Sequence, residues 1–253
     1  MNISTQNVPL RIRTVGDIAA AVPGVTEVFR RFKLDFCCGG DIALDAAARE
    51  HGVDVMDVER ALHELDRTEH PAPASIESGE LIDHILARYH ETHRRELPEL
   101  IGLSRKIEAV HAGHPKVPTG LADVLQHMLG ELEVHMKKEE LILFPAMRRS
   151  SGHVLDVPIV QMRHDHDDHG EQLRQIESLT GAFILPDGAC RSWQALYAGL
   201  AKLASDLMEH IHLENNVLFP RYESGPSSHS APAASHKRPP QSEFTGASEG
   251  VDQ

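Results

Sequence analysis

Two stretches of the chain read almost alike. H-M-K-K-E-E-L-I-L-F-P runs from His135 to Pro145, and H-I-H-L-E-N-N-V-L-F-P from His210 to Pro220. In each, a histidine is followed four residues on by a glutamate, and Phe-Pro follows that glutamate at a constant distance. Positions four apart on a helix share a face. Each stretch therefore offers an imidazole and a carboxylate to one point in a helical core, which is how helix bundles hold metals.

The duplication extends upstream. His90 lies 45 residues before His135, and His166 lies 44 before His210. H-E-T-H-R-R-E-L from His90 matches H-D-D-H-G-E-Q-L from His166. Repetition at this scale predicts a structural repeat, here two helical hairpins related by an approximate two-fold axis. Four long amphipathic segments carry it. The first spans about 78–110, with Ile82, Leu86, Tyr89, His90, His93, Leu97 and Leu100 on its stripe, and Pro98 is expected to kink or break it. The second runs to about Arg149 with Leu121, Leu125, Met128, Leu132, His135, Glu139 and Ile142. The third starts near Pro158 and carries Ile159, Met162, His166, His169, Leu173 and Ile176. The fourth carries Trp193, Leu196, Leu200, Leu203, Leu207, His210, Glu214 and Val217. Short connections make neighbouring helices antiparallel, so the expected fold is all-α, an up-down four-helix bundle. The low aromatic content of 4% agrees with helices rather than sheets.

Residues 1–70 read as a small helical domain. Thr14 caps a first helix that Pro23-Gly24 ends. Val28, Phe29 and Phe32 form an apolar stripe, and L-D-F-C-C-G-G-D makes a tight turn. Residues 71–79 read as a linker, 80–223 as the bundle, and 224–253, rich in Ser, Pro, Ala and Gly, as a disordered tail. A net charge of −13 argues against nucleic acid as the main partner. No apolar run approaches membrane-spanning length, and no N-terminal signal is visible. Three cysteines, two of them the adjacent Cys37 and Cys38, do not make a disulfide framework and fit a reduced, cytoplasmic protein. Cys190 reads as structural.

Folded as a bundle, the chain brings His90, His135, His166 and His210 to one level with Glu139 and Glu214 between them. Imidazole suits iron, and carboxylates can bridge two metals. Two histidines per metal, two bridging glutamates and an oxo or hydroxo bridge make five ligands per iron and leave one octahedral position for a small molecule. Zinc or manganese fits the same residues less specifically. Periodicity alone leaves some choices open. His93 and His169, three residues past His90 and His166, share their faces. Glu140 is one residue off the face of Glu139 and reads as solvated. His164 and His212 fall on other faces. Glu131, four residues before His135, is placed to orient it or to lie on the surface.

With these residues in hand, the chain resembles the RIC (Repair of Iron Centres) family, of the ScdA and YtfE type. The resemblance covers about 10–223. It rests on D-F-C-C-G-G, on L-I-D-H-I-L-A-R-Y-H-E-T-H-R-R-E-L-P-E-L, on the two H-x-x-x-E stretches and on H-D-H-D-D-H-G. It implies a hemerythrin-like bundle preceded by an ScdA-N-like domain. It selects His90 over His93 and carries over His135, Glu139, His166, His210 and Glu214 as ligands of two irons, with the glutamates bridging. The implied task is repair of iron–sulfur clusters damaged by oxidative or nitrosative stress, through iron donation or handling of nitric oxide. The partners are then damaged iron–sulfur proteins and nitric oxide or oxygen species as small ligands, and a homodimer is compatible with it. Cys37 and Cys38 are soft, redox-active thiols placed to deliver electrons, capture nitric oxide or pass iron onward, or else form a buried structural pair. Two other readings compete: an enzyme reducing nitric oxide at a non-haem di-iron centre, and a hemerythrin-like oxygen or nitric oxide binding or sensing protein.

Overall fold

A computed structural model describes residues 8–65, 72–149 and 155–224. The expected tail lies almost wholly outside the described residues. The N-terminal part is four short helices: α1 (Val15–Ala21), α2 (Val25–Arg31), α3 (Leu44–Glu50) and α4 (Val55–His63). Thr14 Oγ1 accepts from the Asp17 N–H at 3.1 Å and caps α1. Gly24, at φ 74°, takes the left-handed turn between α1 and α2 that a β-carbon would disfavour.

The bundle comes next. α5 (Ser78–Ile85) leads through a π-turn (Leu86–His90) into α6 (Glu91–Val110). α7 (Leu121–Lys138) leads through a second π-turn (Glu139–Leu143) into α8 (Phe144–Arg149). α9 (Asp156–Thr180) is unbroken, and α10 (Arg191–His212) ends in a third π-turn (Leu213–Leu218). Side-chain bonds give the directions. Arg94 meets Glu133 while Arg105 meets Gln126, so α6 and α7 are antiparallel. Arg88 meets Asp206 and Lys106 meets Ser192, so α6 and α10 are antiparallel. Lys138 meets Asp165 and Gln172 meets Glu131, so α7 and α9 are antiparallel. α6 and α9 therefore run one way, α7 and α10 the other. Among the described residues no helix is long and apolar enough to cross a membrane.

Two details depart from the periodicity. Pro98 does not interrupt α6; the irregularity falls at the π-turn before His90. Ile142, expected on the core stripe, is 64% exposed, while Leu143 and Phe144 are buried. The π-turn is the cause. Phe144 N–H bonds Glu139 C=O, five residues back rather than four, which inserts a residue and rotates the next stretch of helix by about a third of a turn. Phe219 N–H makes the same bond to Glu214 C=O. The extra residue also lets Pro145 and Pro220, which have no N–H to give, come so soon after Glu139 and Glu214.

The apolar core is in two parts. One, around Leu81, Ile85, Phe144, Met162, Leu218 and Phe219, fills the end of the bundle near the π-turns. The other runs from Leu97, Leu132, Leu173 and Leu207 through the far end and also takes in Val15, Phe29, Phe36 and Leu62. The N-terminal helices thus share a continuous core with the bundle across the expected linker. A layer of buried histidines and glutamates lies between the two clusters.

Candidate metal centre

All six residues carried by the repeat and the resemblance lie in that layer. His90, at the end of the first π-turn, and His166, on α9, come from the parallel pair. His135 and His210, near the ends of α7 and α10, come from the other pair, and Glu139 and Glu214 from the π-turns after them. Their exposure is at most 2%. Two groups of four ligand atoms form, each within 4.8 Å of one another: His90, His210, Glu139 and Glu214, and His135, His166, Glu139 and Glu214. Both glutamates belong to both groups. The two halves of the repeat therefore meet at a shared pair of carboxylates.

The surroundings prepare these side chains for a cation. His90 Nδ1 lies 2.8 Å from Glu140 Oε1, His166 Nδ1 2.8 Å from Asn215 Oδ1, and His135 Nδ1 3.3 Å from Asp165 Oδ2. Each oxygen accepts the Nδ1 proton, leaving the Nε2 lone pair directed inward. His90 Nε2 and His210 Nε2 are 3.2 Å apart, and His135 Nε2 and His166 Nε2 3.1 Å. Nitrogens that close need a shared proton or a cation between them. The buried glutamate oxygens face imidazole nitrogens: Glu139 Oε1 and Oε2 lie 3.4 Å from the Nε2 atoms of His135 and His90, and Glu214 Oε2 lies 3.0 Å from His166 Nε2. Two buried carboxylates are costly unless those imidazoles are protonated or a cation is held between them. With protons alone available, burial opposes charging of His135, but Glu139, Asp165 and Glu214 outweigh it and hold the ring up at about 10. His210 is pushed well below its ordinary value by burial and by the facing His90. The donor set of imidazoles and carboxylates fits iron, manganese or zinc.

Aromatic rings seal the layer. Tyr89 stacks on His210 at 5.4 Å, Phe219 on His166 at 5.8 Å and Phe144 on His90 at 6.0 Å. The Phe of each Phe-Pro step thus packs on a histidine of the centre.

Several neighbours differ from what spacing suggests. Glu140 is not merely solvated. It holds His90 and is itself paired with Arg94 at 2.7 Å, and this outweighs the rise that partial burial would cause, so it stays below its ordinary value. Glu131 does not orient His135. It bonds Gln172 and His127, and Asp165 takes the place beside His135 instead. Glu140, Asp165 and Asn215 were illegible because each acts across to another helix or through a π-turn, where no periodicity points. His164 is exposed and pairs with Asp168. His212 is buried on another face, edge-on to Phe36 at 5.6 Å, with burial pushing it down to about 4.

The cysteine loop reaches the centre through Asn215. Its amide nitrogen donates to Cys37 C=O at 2.9 Å while its oxygen holds His166. Asn216 donates to Phe36 C=O at 2.8 Å. Asp35 Oδ1 accepts from the N–H groups of Cys37 and Cys38 at 3.1 and 3.0 Å. The two sulfurs are 3.7 Å apart and unbonded to each other, and Cys38 Sγ lies 3.5 Å from His166 C=O. Burial and the neighbouring Cys38 and Asp35 raise the Cys37 thiol, the contact with Cys38 contributing most. Asp35, Cys37 and Cys38 together form a third potential metal-holding group.

A four-helix bundle with two sets of buried His and Glu sharing their carboxylates is a cation-binding bundle of the hemerythrin type. Residues 81–222 match the hemerythrin HHE cation binding domain, and residues 11–66 match ScdA_N, described as a domain of unknown function. The iron-sulfur cluster repair protein YtfE of Edwardsiella ictaluri is 46% identical over 213 residues, covering 83% of this chain and 96% of that protein. YtfE of Dickeya chrysanthemi is 46% identical over 215 residues, with the same coverage. A probable iron-sulfur cluster repair protein of Haemophilus influenzae is 40% identical over 211 residues, 82% of this chain and 95% of that one. The chain belongs to the YtfE family of iron-sulfur cluster repair proteins.

Proposed function

We propose that the chain holds two irons, one with His90 and His210 and the other with His135 and His166, both shared by Glu139 and Glu214, and that it repairs iron–sulfur clusters damaged by oxidative or nitrosative stress. The observation that carries the reading is the pair of four-residue groups with both glutamates in common. The relatives' names supply the task.

Two irons bound here supply redox-active cations with room for a small ligand such as nitric oxide or an oxygen species. The chain's own residues do the rest. Glu140, Asp165 and Asn215 hold the imidazoles in the ligating tautomer. Tyr89, Phe144 and Phe219 shield the ligand rings from water. In repair, iron is also cargo. The Asp35, Cys37 and Cys38 loop, bonded to the centre through Asn215, is the natural receiver for it or for electrons. Free thiols at all three cysteines suit a reducing, cytoplasmic setting. The clients are damaged iron–sulfur proteins.

The test measures iron per chain and restoration of a nitric oxide-damaged iron–sulfur dehydratase. Glu139→Leu and Glu214→Leu should each lose half or more of the iron and the repair. Cys37→Ser with Cys38→Ser should keep the iron and lose repair. Two irons retained in both glutamate variants would refute the site. Wild-type repair by the cysteine double variant would reduce that loop to a structural role. Many turnovers of nitric oxide to nitrous oxide by the reduced protein, with no restored client, would replace repair by a nitric oxide reductase.

A further inference from the structure

His93 and His169 stand outside the ligand set, yet they occupy equivalent places in the two halves. Each lies three residues past a ligand histidine on one of the two parallel helices, His93 after His90 and His169 after His166. They are 1% and 2% exposed. Each ring packs on a ligand ring of a neighbouring helix, His93 on His210 at 5.4 Å and His169 on His135 at 5.2 Å. The Nε2 atoms of both have no hydrogen-bond partner among the described residues. Buried polar atoms are rarely left unmet, and two at matching positions call for one explanation.

Helix direction supplies it. Three residues of helix rise about 4.5 Å, so His93 and His169 stand that far to one side of the ligand layer. α7 and α10 run the opposite way, and Glu139 and Glu214 come after their histidines, so the carboxylates approach from the other side. At the level of His93 and His169, α7 and α10 contribute the buried, apolar Leu132 and Leu207. The two imidazoles are thus the polar part of the face that the glutamates leave open. His169 is also fixed in tautomer. Gln172 gives its amide N–H to Glu131 and so turns Oε1 toward His169 Nδ1, at 3.4 Å. The proton sits on Nδ1, and Nε2 is left as an acceptor.

We propose that His169 Nε2 accepts a hydrogen bond from a small protic ligand, water or hydroxide, held at the metals on the face away from the glutamates, with His93 flanking that face from the other half. This rests on the two-iron reading. The side chain would then favour protic ligands over those with no hydrogen to give.

Azide, which has none, is the probe. It would be titrated into the iron-loaded ferric full-length protein and followed by its visible charge-transfer band, with iron per chain measured alongside. His169→Leu should keep two irons and bind azide about five- to ten-fold more tightly, because the displaced solvent has lost its acceptor. His169→Gln, which can still accept, should return to within about two-fold of the wild type. Unchanged or weaker azide binding in His169→Leu overturns the proposal. Loss of one iron in that variant overturns it too, by making His169 a ligand. A wild-type chain that fails to hold two irons refutes the underlying reading instead, and the iron count separates that from failure of the His169 role.

Discussion

Asn215 offers a decisive perturbation, because one buried amide serves both the centre and the cysteine loop. It is 6% exposed, bonds His166 Nδ1 at 2.8 Å and gives its N–H to Cys37 C=O at 2.9 Å. Asn215→Ala removes both bonds and strands a buried imidazole N–H and a carbonyl. At about 1–1.5 kcal/mol for each bond, with some added penalty for the stranded groups, the loss is about 2–4 kcal/mol. For a chain of this size that lowers the melting temperature by about 4–16 °C. Freed from its acceptor, His166 should also bind metal about 10- to 100-fold less tightly. Calorimetry of the metal-free protein reads the first effect, and chelator competition for iron the second. Asn215→Asp separates the two. It keeps the oxygen that holds His166 but sets a carboxylate against Cys37 C=O, so iron should be retained while the loop loosens, seen as faster alkylation of Cys37. Asn215→Ala melting within about 1 °C of the wild type and yielding iron to the chelator no faster would refute the argument.

Gly16→Ala should destabilise by about 1–3 kcal/mol, since a β-carbon there would stand 2.6 Å from Asn216 Oδ1 and 3.0 Å from Gly40 C=O; urea denaturation reads this, and a variant as stable as the wild type would contradict the close packing of α1 on the third π-turn. Asp206, paired with Arg88 at 2.7 Å and Lys202 at 2.8 Å, is pushed up by burial but held below its ordinary value by those two cations. A lowered carboxylate adds stability above its unfolded value of about 4, and that stability is lost as the pH falls through the folded value. Metal-free Asp206→Asn should therefore be less stable than the wild type at pH 7 by about 1–2 kcal/mol, the half-exposed cations limiting the effect, with the gap closing toward pH 3; a gap that stays constant over that range would contradict the pairing.

Much of the architecture is legible in the sequence. His135 and Glu139, repeated as His210 and Glu214, share a face because helical spacing demands it, and the upstream His90 and His166 come from the length of the repeat. The all-α bundle and its four segments rest on such local periodicity, which left His93 and His169 as alternatives; the resemblance, not the spacing, selected His90. Beyond it, everything depended on which helix stands opposite which. Glu140 holds His90, and Asp165 rather than Glu131 meets His135, because those contacts cross between antiparallel helices. Ile142 leaves the core because a π-turn adds a residue to a regular count.

The pairing of His135 with Glu139 and of His210 with Glu214 could be read from the chain alone, since an i, i+4 spacing is a property of one helix whatever surrounds it. What had to come from the fold is the rest: that Glu139 and Glu214 both fall within reach of both pairs of histidines, that Asn215 ties the cysteine loop to His166, and that His93 and His169 are buried against His210 and His135. Each of these depends on the relative direction and register of separate helices, which are set by packing and are not written in the spacing of any one of them.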